Sequence, residues 1–185
     1  MNEVTGKGKG FELPLPDGCN TAEEAANKAN DYYVQKVITL RKNLKANTTL
    51  KEAVSSDTGF RFHCIGTKTL KQALHNLQNK PSVGMDKIPI GVFKSGWSAL
   101  ALPLVHLVNT VIKTGKWPKR WKEILSKPVP KPKKPPLDIA SYRPVALLVA
   151  VSKLTERVLY DQLIDFVESQ GILPKEQHGF RKNHS

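Results

Sequence analysis

Glu123-Ile-Leu-Ser-Lys-Pro-Val-Pro-Lys-Pro-Lys-Lys-Pro-Pro-Leu-Asp-Ile-Ala-Ser-Tyr-Arg-Pro-Val-Ala-Leu-Leu-Val149 places two short apolar runs around a Pro- and Lys-rich middle. Glu123–Val129 and Arg143–Val149 have the length and the side chains of strands, and they predict the two arms of one hairpin. The prolines between them cannot continue a helix or a ladder, because they lack the amide proton that either needs. The lysines there make the tip of the hairpin basic. Composition alone leaves a solvated basic linker and a polyanion-binding tip equally open.

Working outward, the flanking sequence predicts helices. Thr21-Ala-Glu-Glu24 is a capping box, in which a threonine hydroxyl and a glutamate three residues on serve each other's amides. A helix should follow to about Asn43, with Ala25, Ala29, Tyr33, Val37 and Leu40 on one stripe. Thr69–Lys80 has Leu70, Ala73, Leu74 and Leu77 at helical spacing, with Pro81 as its stop and a turn at residues 82–86. A third helix is expected to open near Pro103 and to bury Leu104, Leu107, Val108, Val111 and Ile112 before Gly115 ends it. The last runs from about Ser152 to Gln170, with Leu154, Val158, Leu163, Phe166 and Val167 inward and Gly171 as its stop. Phe60–Ile65 is expected as a short strand. The fold class is therefore α+β, mostly helical with a small antiparallel hairpin.

The chain has 185 residues, with 29 Lys+Arg against 16 Asp+Glu and a formal net charge of +13. Residues 1–57 sum to zero, so the whole excess lies in residues 58–185. Lys113–Lys134 alone holds nine cations and one anion, Glu123. A block of one sign attracts polyanions, of which nucleic acid is the commonest. The apolar run Ala99–Val105 is too short to cross a bilayer and is broken by Pro103. No apolar core lies behind Met1, so no leader is expected, and Cys19 and Cys64 cannot frame a disulfide scaffold. The expected class is an intracellular basic protein, nuclear or cytoplasmic, without a membrane partner.

Searches for catalytic constellations return little. Thr5–Gly10 lacks the spacing of a phosphate loop and reads as a flexible terminus. His63-Cys64 has no partner at metal-ligand spacing and is expected as a partly buried strand pair. Asp161, Asp165 and Glu168 share a helix face opposite the apolar stripe and read as a solvated face. His106, on an apolar helix, is expected in the core. No metal site and no catalytic residue is assigned.

One ordered series stands out. Ala26-Asn-Lys-Ala-Asn-Asp-Tyr-Tyr33 and Gly84-Met-Asp86-x-Ile88-Pro89 come first. Gly115-Lys-Trp-Pro-x-x-Trp-Lys122, Pro128-Val-Pro-Lys131 and Ser141-Tyr-Arg-Pro-Val-Ala-Leu-Leu148 follow. Leu173-Pro-x-x-Gln-His-Gly-Phe-Arg181-x-x-x-Ser185 closes it. The series resembles the amino-terminal part of the reverse transcriptase domain of non-long-terminal-repeat (LINE-type) retrotransposons, over roughly residues 20–185. Three positions depart from the pattern: Ser141 replaces the usual Asn, His178 fills a variable position, and Lys87 stands where Gly is common.

The resemblance implies a partial fingers/palm of a right-hand polymerase. Residues 1–18 become an irregular lead-in, 19–112 a helical region upstream, and 113–185 the incomplete fingers. Lys131 and Arg143 match positions that grip the nucleotide triphosphate, and Arg181 matches one near the template or the palm entrance. Lys133, Lys134 and Tyr142 complete the expected template- and nucleotide-binding set; Trp117 and Trp121 also interleave with the cations, and their burial against the third helix is expected over base stacking. The implied partners are RNA or an RNA/DNA hybrid and, in the complete enzyme, a deoxynucleoside triphosphate. The complete enzyme is also expected to use Mg²⁺ between palm aspartates, of which these residues hold no adjacent pair. A fragment of an RNA-directed DNA polymerase, inactive by itself, is thus the expectation. The alternatives are a non-catalytic nucleic-acid-binding module and an unselected retroelement remnant.

Overall fold

The computed structural model describes residues 15, 16, 18–42, 44, 59–135, 137–174, 176–179 and 181. Most of the expected lead-in, including Thr5–Gly10, lies outside them, as do Pro136, Phe180 and Ser185. In chain order the elements are α1 (Ala22–Lys42), α2 (Thr67–Asn76), α3 (Ile90–Ser95), α4 (Trp97–Thr114), β1 (Leu125–Pro130), β2 (Tyr142–Leu147) and α5 (Ala150–Ser169). Short 3-10 turns stand at Lys119–Trp121 and Ile139–Ser141. Among the described residues β1 and β2 form one two-stranded antiparallel sheet, so the mixed, mainly helical class holds. No helix among the described residues is long and apolar enough to cross a membrane. The chain divides into two compact units, one built on residues 7–57 and 126–146, the other on residues 58–125 and 147–185.

In the first unit, α1 starts at its capping box. The Glu24 amide donates to Thr21 Oγ1 at 3.1 Å, while Glu24 Oε2 accepts from the Asn20 and Thr21 amides at 2.7 and 3.3 Å. The expected apolar stripe is not buried: no α1 residue is, and Val37 and Leu40 are more than half exposed. Capping is a local backbone transaction and needs no partner; burial needs a facing surface. In the hairpin, Pro128, Pro130 and Pro144 are tolerated because each strand of a two-stranded sheet has an open edge.

The second unit has its own core. Leu70, Ala73 and Leu74 of α2 pack with Ile90 and Phe93 of α3, Leu104 and Val108 of α4, and Ala150, Leu154 and Val158 of α5. Full burial of a leucine such as Leu70 or Leu74 contributes about 1.5–3 kcal/mol. Helix α2 ends at Asn76, short of the expected Lys80. Pro81, four residues past Leu77, has no proton for the Leu77 carbonyl, and Lys94 Nζ takes that carbonyl instead at 2.6 Å.

Helix α4 opens at Trp97, not near Pro103, and Pro103 sits inside it. Gly96 caps both α3 and α4, and its carbonyl accepts from Ala99 and Leu100 at 3.1 and 3.0 Å. Ala99 and Pro103 are both exposed, so water can serve the carbonyl that the proline leaves without a donor. The outer members of the expected stripes, Leu107 on α4 and Leu163 on α5, are exposed at 43% and 44%, and His106 is exposed rather than in the core. Gly115 and Gly171 end α4 and α5 with φ of 63° and 59°, as their positions predict.

Phe60–Ile65 is extended but not a strand, and His63 and Cys64 are exposed. Two side-chain amides replace the missing partner strand. Gln162 accepts from the His63 amide at 2.9 Å and donates to its carbonyl at 3.0 Å. Asn109 does the same for Ile65 at 2.8 and 2.9 Å. Residues two apart in an extended chain point their polar groups to one side, which lets α4 and α5 each supply one rung.

Candidate nucleic-acid interface

The first unit carries five of the six residues that the sequence singles out. The connection between the strands is shaped by its own backbone. The Lys131 amide extends the ladder to the Ser141 carbonyl at 2.7 Å. Asp138 caps the following 3-10 turn, its Oδ1 accepting from the Ala140 amide at 2.9 Å. Lys133 adopts a left-handed φ of 59°, an uncommon conformation for a side chain with a Cβ. Lys133 and Lys134 are exposed at this tip, and Arg143 is exposed on β2. None of these three makes an ion pair among the described residues.

Lys131 and Tyr142 are placed differently. The Lys131 ammonium donates to the Ala140 carbonyl at 2.6 Å, so one of its three protons is committed to the hairpin itself. Tyr142 is buried at 7% exposure, which leaves its ring no free face for a base. It stands near Tyr33 of α1, whose hydroxyl is shut from solvent with no hydrogen-bond partner among the described residues. Burial, then Tyr32, then Tyr142 push the Tyr33 phenol above its usual value.

Arg181 belongs to the second unit and is held by its own chain. Its guanidinium forks onto Glu168 at 2.9 and 2.6 Å, and Nη1 also donates to the Gln177 carbonyl at 3.2 Å. The Glu168 hydrogen bond raises the arginine further above neutrality. The pair ties the segment after Gly171 to the end of α5.

Asp161 likewise takes Arg157, at 2.9 Å. Among the described residues no three His, Cys, Asp or Glu side chains could share a metal ion. The set of convergent carboxylates that Mg²⁺ needs in a polymerase is not present in them. Trp117 and Trp121 are half-buried, packed edge to face on each other at 5.7 Å.

The hairpin thus presents three exposed cations, Lys133, Lys134 and Arg143, on a braced backbone. The chain aligns at 34% identity over 121 residues with a probable RNA-directed DNA polymerase from transposon BS of Drosophila melanogaster, covering 65% of the chain. This chain is similar to transposon RNA-directed DNA polymerases. Two further relatives agree. A probable RNA-directed DNA polymerase from transposon X-element of Drosophila melanogaster is 28% identical over 86% of the chain. The RNA-directed DNA polymerase from mobile element jockey of Drosophila funebris is 30% identical over 62% of it. No protein-family profile matches the chain. The chain spans only 13–17% of the length of these three relatives, so it corresponds to a part of such a polymerase.

Sequence reasoning passed over Asp138 and Ala140, which set the shape of the tip. The signal was present: an Asp whose carboxylate accepts from the amide two residues on is a recurrent local cap of a short turn. It also passed over the division of the basic run. Lys113, Lys116, Lys119, Arg120 and Lys122 belong to the second unit, and Lys127, Lys131, Lys133 and Lys134 to the first.

Proposed function

We propose that the chain is the fingers and upstream part of a non-long-terminal-repeat reverse transcriptase, and that its hairpin binds the phosphates of the template strand and of the incoming nucleotide. The observation that carries this is the hairpin, with Lys133, Lys134 and Arg143 exposed on a backbone that Lys131 and Asp138 brace. Arg143 brings a planar fork of donors suited to phosphate oxygens, and the lysines bring mobile point charges. Lys131 keeps two protons for a triphosphate while its third holds Ala140. Arg181 acts by positioning the segment after α5.

The relatives named for RNA-directed DNA polymerase activity support RNA as the template. The described residues bind and orient; the carboxylates that hold Mg²⁺ in the complete enzyme are proposed to come from outside them, and the chain alone extends no primer. The test is the salt dependence of binding to labelled single-stranded RNA. Each phosphate contact steepens the log–log slope by about 0.7 on a single strand, so Lys133→Glu/Lys134→Glu/Arg143→Glu should flatten it by about 2. A flat slope for the unaltered chain overturns the proposal.

A further inference from the structure

We infer that Lys113–Lys122 forms a nucleic-acid docking surface of its own on the second unit. This rests on the nucleic-acid-binding role proposed above and deepens it. Four of the five cations there follow the end of α4, and all five are exposed. None makes an ion pair among the described residues. Three cations outside this segment do have internal work: Lys94 closes α2, Lys131 closes the hairpin, and Arg181 holds Glu168. In this segment the backbone holds itself. Gly115 donates to the Val111 carbonyl at 2.9 Å, Trp121 to Pro118 at 3.1 Å and Lys122 to Lys119 at 2.9 Å. The edge-to-face pair Trp117 and Trp121 then braces the turn from which Lys119 and Arg120 project. Among the described residues, that turn is held by main-chain bonds and the tryptophan pair, not by the side chains of the five cations.

The helix dipole explains Lys113 but not the rest. A helix C-terminus carries about half a negative charge and acts over its last turn. Five cations in ten residues exceed that several-fold, and Glu123 is the nearest anion in sequence. A row of unpaired cations on a self-supporting turn suits a ligand with repeated negative charges along its length, which is a phosphodiester backbone. The tryptophans pack on each other instead of offering two parallel faces, so the surface reads backbone charge and tolerates any base sequence.

The experiment compares three charge-reversal variants of the full chain by fluorescence anisotropy on two unrelated single-stranded RNAs. They are Lys116→Glu/Lys119→Glu/Arg120→Glu, the hairpin triple Lys133→Glu/Lys134→Glu/Arg143→Glu, and the control Lys68→Glu/Lys71→Glu on α2. The first should weaken binding about tenfold on both RNAs and flatten the salt slope by about 2, well beyond the control. If it behaves like the control while the hairpin triple loses affinity, the second surface is overturned and the hairpin proposal stands. If neither triple differs from the control, both are overturned. If the first triple weakens binding to phosphatidylserine vesicles but not to RNA, a membrane is the occupant and the inference fails. Should the triple melt early, Lys116→Gln/Lys119→Gln/Arg120→Gln, which removes the same three contacts, must flatten the slope by about 2 as well.

Discussion

Lys131 and Ala140 close the hairpin tip on each other: the ammonium of one donates to the main-chain carbonyl of the other at 2.6 Å. Nine residues apart in sequence, they fix the mouth of a loop whose remaining lysines face solvent. The residue that most resembles a substrate-binding cation is thus also the clasp that holds the others in place. Replacing Lys131 by Met should remove a charge-assisted bond contributing about 1–2 kcal/mol locally. Amide exchange across β2 should quicken by about tenfold, and unchanged exchange would show that the clasp is dispensable.

Gly84 and Lys87 bound the turn before α3, where the Lys87 amide donates to the Gly84 carbonyl at 3.1 Å. A Cβ on Gly84 would meet the Val149 nitrogen at 2.5 Å and the Leu148 carbonyl carbon at 2.6 Å. Both are backbone atoms that cannot swing aside, so Gly84→Ala should destabilise by about 2–3 kcal/mol in a denaturant melt. Lys87 has a φ of 56°, the left-handed conformation that a glycine adopts without strain. Lys87→Gly should therefore gain about 0.5–1 kcal/mol, whereas Lys87→Ala should gain nothing.

Asn109 and Gln162 act as two rungs of an absent strand. Asn109→Ala or Gln162→Ala each removes a donor and an acceptor from the extended segment. Each change should cost about 1–2 kcal/mol and release the amides of His63 or Ile65 to fast exchange, the other staying protected. Simultaneous release by either single change would show that the segment docks as one piece.

Tyr33 supplies a pH signature. Its folded-state pKa lies above the usual phenol value of 10.0, so the stability that it contributes is fully present below pH 10 and lost as pH rises through the folded pKa. Tyr33→Phe should abolish that alkaline loss. At neutral pH it should also stabilise by about 1 kcal/mol, because it deletes a buried hydroxyl without a partner. Thermal melts at pH 7 and at stepped pH above 10 check both signs.

How much was legible in the sequence follows from how local each feature is. The capping box, the terminating glycines and the hairpin arms were readable because neighbouring residues determine them. Lys87 stands where glycine is common, and only the structure shows that it keeps a left-handed φ of 56° there. The start of α4 was missed because Pro103 looks like a beginning, while exposure of the Ala99 side made it tolerable inside. The strand expected at Phe60–Ile65 does not form, because its pairing partners are side chains distant in sequence and not a neighbouring strand. The set of candidate residues was read from motif order. Which of them face solvent and which serve the fold was not.

The sequence by itself determined the mixed helical and hairpin class, the chain ends of each helix that carry a local stop, and the excess of positive charge. Those depend on backbone propensity and on counting. Only the tertiary structure decided that one run of nine cations belongs to two bodies, and that Lys131 and Arg181 spend bonds on their own chain. The physical reason is that charge is a property of residues, whereas availability of charge depends on which carbonyls and carboxylates the fold brings within hydrogen-bonding distance.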